Sequence, residues 1–270
     1  MLSCAEQPAT LAGDAIDSLR ERGFAILDVA SVAKVDMAWE LWTFLDATIA
    51  RFLDADGTRR EAAEFLKDQR RATRKQYLVK PAEKPTLHHA DPLLRLGLCP
   101  TFLEIARGAL PTRPTLFALD LWLVLATRAQ WRTWSQNWHR DSDAEQEIKI
   151  FYFPFGVSAD AGPLEYVEGS HTGEFEAQLQ PNGYLPNDFA VPRDRVQKFT
   201  CTPRTLLLVN THGIHRGGLA DARVRVSANW TYAAGKQYRR RFDLQAGACS
   251  YFDGDALAAL SPDPALILNP

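Results

Sequence analysis

Cysteine is scarce in this chain and scattered. Cys4, Cys99, Cys201 and Cys249 form no CxxC pair, which excludes a thiolate zinc cluster and a disulfide framework and leaves reduced thiols as the expectation. Charge of one sign is lacking too: the formal net charge is −2, so no global field draws the chain to nucleic acid or to an anionic membrane surface. No apolar run is long enough to span a bilayer. The opening "MLSCAEQPATLAGDAIDSLRERGF" has no basic start followed by an apolar segment, as a secretory leader would. A cytoplasmic protein is the expectation. There is also no internal repeat, no low-complexity tract and no linker rich in Gly and Ser, so the 270 residues read as one domain.

What is present is ordinary globular material, 46% hydrophobic and 24% charged, with enough chain to bury a sizeable core. The spacing predicts a helix over residues 8–22, a short strand at 23–27, and a longer helix opened by Ser31 as N-cap and closed by Gly57. A further helical pattern covers 91–111, interrupted near Cys99-Pro100. After Pro111 the texture changes to short runs rich in β-branched and aromatic residues at 114–126, 147–157, 162–167, 205–210 and 224–234. The expected architecture is mainly β with flanking α-helices. It has a helical N-terminal part over about 1–112, a barrel or sandwich core over about 113–245, and a C-terminal extension.

Within the β region, "NWHRDSD" (137–143) carries His139 and Asp141 two residues apart, a spacing that puts both side chains on one side of extended backbone. A third candidate stands in "LLLVNTHGIHRGG", where an apolar strand runs into a loop bearing His212 and His215. Two imidazoles and one carboxylate occupy one side of a metal and leave its other positions open. That arrangement suits non-haem Fe(II), although zinc accepts the same donors. Ten residues after His215 comes Arg225 in "ARVRVSANW". If Gly217-Gly218 turns the chain back, this strand runs beside the one that delivers His215. Period-two parity then places Arg223, Arg225, Ser227 and Asn229 on a polar face, and Val224, Val226, Ala228 and Trp230 on an apolar face turned to the helices. A fixed guanidinium near a metal is a bidentate clamp for a carboxylate. A zinc hydrolase does not require it, whereas an iron enzyme that chelates a 2-oxo dicarboxylic acid does.

"WHRD", "GPLEYVEGSH", "HGIHRGG" and "RVRVSANWTY" together resemble the phytanoyl-CoA dioxygenase family of Fe(II)/2-oxoglutarate-dependent oxygenases, over roughly residues 114–234. The resemblance implies a double-stranded β-helix (a jelly-roll, cupin-like core), with Fe(II), 2-oxoglutarate and O2 as cofactor and cosubstrates. It implies His139, Asp141 and His215 as metal ligands, and Arg225 with Ser227 as the 2-oxoglutarate clamp, with Arg223 a rival of the same parity. No separate acid or base is implied. The substrate class is a small molecule, whether a natural-product intermediate, an amino acid or an acyl compound. The reaction is hydroxylation with release of succinate and CO2. Alternatives are a non-catalytic cupin-like protein that binds a metal or small ligand, and a zinc hydrolase using Glu145 or Glu147 as base.

Other residues have plainer readings. Trp138, beside a ligand, is expected to shape the pocket wall. His212 is either a substrate contact or a loop hydrogen bonder. His171, in the Ser170-His171 pair, reads as structural, and His88-His89 as loop histidines. The cluster "RRATRK" (70–75) and "YRRRF" (238–242) read as solvated faces. Trp131 and Trp134 read as core or pocket mouth. Oligomeric state leaves no trace in the sequence.

Overall fold

The computed structural model describes residues 9–33, 39–43, 78–79, 92–124, 132–221 and 223–238. Most of the helix expected after Ser31, the His88-His89 pair, the 70–75 cluster, Trp131 and residues 239–242 lie outside these; residues 39–43 are helical. Ser31 is not a helix cap. The short helix α2 (Val29–Val32) is capped by Asp28, whose carboxylate accepts from the Ala30 N–H at 2.8 Å, and Ser31 donates back to the Asp28 carbonyl. An aspartate at the end of strand β1 (Phe24–Asp28) serves the free N–H groups better than a serine inside the turn.

Helix α1 (Ala9–Arg22) precedes β1. Between them Gly23 has φ +85°, and a Cβ there would lie 2.1 Å from the Tyr166 hydroxyl, so only glycine fits. Two helices follow β2 (Leu78–Val79): α3 (Pro92–Gly97) and α4 (Pro100–Ala109). They break at Cys99-Pro100 as expected, since Pro100 lacks the N–H that a continuous helix would use and suits a first helical position.

The remaining strands are β3 (Thr115–Val124), β4 (Ala144–Tyr152), β5 (Leu164–Val167), β6 (Val196–Lys198), β7 (Thr205–Asn210), β8 (His215–Gly217) and β9 (Arg225–Gln237). They form a six-stranded sheet in the order β1-β7-β4-β9-β3-β2 and a three-stranded sheet β6-β5-β8, with every pair antiparallel. Two such sheets facing one another are the jelly-roll core that the resemblance implied, within the barrel or sandwich that the sequence texture called for.

The large sheet has two differently used faces. Ile148, Ile150 and Tyr152 of β4, Leu206 and Leu208 of β7, and Val226, Ala228, Trp230 and Tyr232 of β9 share one buried cluster with the helices. Trp230 donates its indole N–H to the Leu93 carbonyl at 2.7 Å, and the Tyr232 hydroxyl donates to the Gly97 carbonyl. The Tyr232 hydroxyl thereby satisfies one of the last four carbonyls that a helix leaves open. Phe102 meets Trp230 edge-on at 5.6 Å. The opposite face turns to the small sheet, filled at one end by Phe24, Phe153, Leu164, Tyr166, Phe199, Leu207 and Val209, and open at the other. A register shift between Leu116 and Ala118 of β3 breaks the alternation there.

One connection differs from expectation. Gly217-Gly218 does not make a hairpin between β8 and β9: β8 pairs with β5 in the small sheet, whereas β9 lies between β3 and β4 in the large one. Neither glycine takes the positive φ of a primed hairpin turn. The role of Gly218 is close approach. A Cβ on Gly218 would come within 2.5 Å of the Pro163 carbonyl, to which the Gly218 N–H donates at 2.9 Å. The chain crosses from one sheet to the other at this point.

Trp230 joins helix and sheet, and it is 0% exposed. Trp230→Ala is expected to lower stability by about 3–5 kcal/mol through the cavity it leaves, read as a shifted denaturant midpoint with an unchanged slope.

Candidate metal centre

The open end of the sandwich is where His139, Asp141 and His215 meet. Upstream, a short 3-10 turn (Trp134–Gln136) is fastened by the Gln136 side chain, which accepts from the Thr133 N–H at 3.2 Å. From it the chain emerges extended. His139 then pairs with His215 as an antiparallel bridge, each N–H donating to the other's carbonyl at 2.9 Å. The Asp141 N–H donates to the Thr211 carbonyl at 3.0 Å, and Arg140 N–H to Gly183 at 2.9 Å. Thus residues 139–141 run as an extra strand along the small sheet, flanked on the far side by Tyr184.

Both imidazoles are oriented in the same way. His139 Nδ1 lies 2.9 Å from the Asn137 carbonyl and His215 Nδ1 lies 2.9 Å from the Gly213 carbonyl. A carbonyl can only accept, so both Nδ1 atoms carry the hydrogen and both Nε2 atoms present a lone pair. Those Nε2 atoms stand 3.5 Å and 3.6 Å from Asp141 Oδ1 and Oδ2 respectively. These separations are too long for strong hydrogen bonds but suit three donors around a common centre, and the three donor atoms lie within 4.8 Å of one another. Two neutral nitrogens and one carboxylate on one side of a cavity are the donor set of a divalent transition metal.

The electrostatics agree. Burial, reinforced by the neighbouring His139, pushes the His215 imidazole down to about 3, so it stays neutral and able to ligate. Burial works against the Asp141 charge, but the Lys149 ammonium leads the opposing interactions, which hold the carboxyl well below its ordinary range. Lys149, on the site-facing side of β4, forms an ion pair with Asp141 Oδ2 and lies 3.9 Å from Glu147 Oε1. Burial opposes its charge, and the two carboxylates override that and raise it. Glu147 is pushed up to about 7, first by burial and then by the nearby acidic groups, against the pull of Lys149. Its Oε1 accepts from the Thr211 hydroxyl at 3.2 Å.

The triad opens on a cavity of about 260 Å³ whose wall includes Phe117, Asp120, Phe151, Tyr184, Asn229 and Thr231. Arg225 and Ser227 line the same cavity on the same face of β9, opposite Val124 and Trp122 of β3. Gly217 faces Arg225, where a Cβ would stand 3.5 Å from Arg225 Nη2. Arg223 is elsewhere. It precedes the start of β9, is exposed, and lies 3.4 Å from Asp160. Period-two parity does not reach it because the backbone there is a bend and no longer extended strand.

Trp138 does not shape the cavity. A residue adjacent to a ligand on extended backbone points to the opposite face; its ring lies under the Arg216 guanidinium at 4.0 Å and packs near Val167, Leu185 and Ile214. His212 likewise turns to the outer side, 3.3 Å from Arg140 Nη1, in a recess with Glu176. His171 holds the Arg20 carbonyl at 2.9 Å, a structural role as expected, and Trp134 is partly exposed. Sequence reasoning missed Lys149 altogether. The signal was there: Glu147 and Lys149 are same-face charges in the otherwise apolar run "EIKIFYF". It also missed Tyr184, whose ring stacks on His139 at 5.2 Å.

No family model matches the chain, and no curated protein does. Among solved structures it is similar to AviO1 from Streptomyces viridochromogenes Tue57, with TM-score 0.51 and 19% identity over 85% of this chain and 97% of that one. It is also similar to the epimerase SnoN in complex with Fe3+, alpha ketoglutarate and nogalamycin RO, with TM-score 0.49 and 16% identity over 84% of each chain. The apo form of ThoJ, a non-heme monooxygenase, gives TM-score 0.49 and 14% identity over 82% and 77%. At such identities the likeness is one of fold.

His139→Ala and His215→Ala are each expected to abolish Co(II) binding measured by titration calorimetry while circular dichroism stays native. Trp138→Ala, whose ring faces away, should retain it.

Proposed function

We propose that this chain is an Fe(II)- and 2-oxoglutarate-dependent oxygenase, a single domain, acting on a small molecule. The observation that carries the reading is the meeting of the His139–Asp141–His215 triad with Arg225 and Ser227 in one cavity. The motif resemblance to the phytanoyl-CoA dioxygenase family points the same way.

In this reading His139, Asp141 and His215 hold the iron on one side. Arg225, lining the same cavity, takes the far carboxylate of 2-oxoglutarate through paired N–H donors, with the Ser227 hydroxyl beside it. The bound metal supplies the activation of O2, and the overall reaction converts 2-oxoglutarate and O2 to succinate and CO2 while one oxygen enters a C–H bond of the substrate. The chain's own part is to place and to shield. Phe117, Phe151 and Tyr184 give the cavity wall apolar surface, and Asn229 and Thr231, on the strand paired with that of Phe151, offer hydrogen bonds beside them. No side chain is assigned as acid or base.

The zinc-hydrolase alternative loses its two nominated bases. Glu147 is buried behind Lys149, and Glu145 is exposed beside Gly235; neither lines the cavity. A non-catalytic metal-binding cupin differs by releasing no succinate. The deciding assay is succinate formation on incubation with Fe(II), 2-oxoglutarate and O2, coupled to a screen for substrates that gain one oxygen.

Arg225→Ala is expected to raise the KM for 2-oxoglutarate roughly thirtyfold or more, the loss of a charge-assisted contact of about 2 kcal/mol or above, with Co(II) binding intact. Arg223→Ala should leave that KM within about twofold, because the Arg223–Asp160 pair is exposed and weak. Because Asp141 fills the position that a halide would need, chloride in the assay should yield no chlorinated product.

A further inference from the structure

Lys149 is the unexplained group in this site. A lysine in the middle of a central strand, between β7 and β9, is rare unless something holds it there. Here a closed ring of contacts does so. The Asp141 N–H donates to the Thr211 carbonyl at 3.0 Å, and the Thr211 hydroxyl donates to Glu147 Oε1 at 3.2 Å. Glu147 Oε1 lies 3.9 Å from Lys149 Nζ, and Lys149 Nζ returns to Asp141 Oδ2. One ligand, Asp141, is therefore gripped twice, by its backbone and by one oxygen of its carboxylate. Oδ1, 3.5 Å from His139 Nε2, is outside the grip, and the gripped Oδ2 stands 3.6 Å from His215 Nε2.

We propose that Lys149 is a positioning residue that keeps Asp141 a one-oxygen ligand, by occupying Oδ2 and leaving Oδ1 to the metal. This rests on the oxygenase reading above and deepens it. An octahedral ion has about six positions. Two imidazoles and one carboxylate oxygen leave three, the number that a chelating 2-oxo acid and O2 require together. A carboxylate free to rotate would chelate through both oxygens and take one of the three. Lys149 prevents this with a charge-assisted bond, and Glu147 on the same face of β4 steadies the ammonium from behind. A cation this close to a metal ion also weakens metal binding by repulsion, so the lysine trades metal affinity for open positions.

The test uses Co(II) as an oxygen-stable probe of the full-length chain and reads visible absorption and affinity, with no turnover needed. In Lys149→Met, Co(II) should bind as tightly as in the wild type or more tightly. The visible spectrum of the form without cosubstrate should change, reporting altered coordination, and affinity for 2-oxoglutarate should fall tenfold or more. Lys149→Arg, which keeps a cationic donor, should restore the wild-type spectrum and most of the 2-oxoglutarate affinity. An unchanged spectrum together with unchanged 2-oxoglutarate affinity in Lys149→Met overturns the proposal. So does a loss of Co(II) binding that follows a loss of thermal stability, because a merely structural lysine behaves that way. If Lys149→Met does not fold, because it leaves two carboxylates buried together, Lys149→Met combined with Glu147→Gln removes both charges at once and carries the same expectations. The wild-type control separates the two levels. If 2-oxoglutarate does not perturb wild-type Co(II) absorption, the oxygenase reading fails; if it does so equally in wild type and variant, only the role of Lys149 fails.

Discussion

The two hydrogen bonds that His139 and His215 exchange through their backbones, each 2.9 Å, are the constraint on which the site depends. Residues paired in this way across antiparallel strands sit about 5.5 Å apart at Cα with their side chains on the same face. Their ring centroids accordingly stand 4.3 Å apart, without any side chain having to bridge them. Two carbonyls on the same segments, Asn137 and Gly213, then fix each ring's tautomer. Backbone pairing sets the spacing and local carbonyls set the orientation. The third ligand follows from parity, since Asp141 is two residues along the same extended chain. A loop-borne site would need separate contacts to do each of these jobs.

That same parity explains what could be read from the sequence. Strand β9 is legible because one of its faces is apolar and packed against helices, and the alternation Val226, Ala228, Trp230, Tyr232 is a direct print of that burial; β7 is legible as a continuous apolar run because both of its faces are buried. The helix break at Cys99-Pro100 is legible because proline chemistry is local. The triad was legible for the same reason, as two of its members are two residues apart. The illegible parts are those decided by distant chain. Strands β6 and β8 are three residues each, too short for any period to register, and their existence depends on partners in β5. The Gly217-Gly218 crossover has the composition of a hairpin; only the Pro163 backbone pressed against Gly218 shows that this glycine serves close approach. Arg223 has the right parity for a strand that has not yet begun. Trp138 was drawn to the pocket by adjacency to His139, the very relation that turns it away.

The large sheet works as a partition. On its helix side, Trp230 and Tyr232 are fully buried and hydrogen-bonded to α3 carbonyls, so β9 cannot rotate or slide without breaking both contacts. On its other side the same strand carries Arg225, Ser227, Asn229 and Thr231 into the cavity. The rigidity of the polar face is inherited from the packing of the apolar one, through a backbone that both share. This is why stability and site geometry are inseparable along β9, and why a cavity lined by polar groups persists without collapsing.

Strand β4 shows where that coupling is most demanding. Ile148 and Ile150 anchor it in the core, while Glu147 and Lys149 alternate with them on the site face. Glu147 is buried, and Lys149 and Asp141 keep only about a fifth of their side-chain exposure at the cavity wall, so these charges must be satisfied largely in place. Lys149 alone would be a strongly destabilising choice, and so would Glu147 or Asp141. Together the three groups screen one another, which accounts for the opposite directions in which burial and charge pull on each. Removing any one leaves an uncompensated neighbour, and a buried ion pair broken on one side is worse than none. A hydrophobic trio would be a simpler way to make a stable sheet, so stability does not account for these charges in the interior. What they do that a hydrophobic trio cannot is hold a carboxylate ionised and oriented beside two imidazoles.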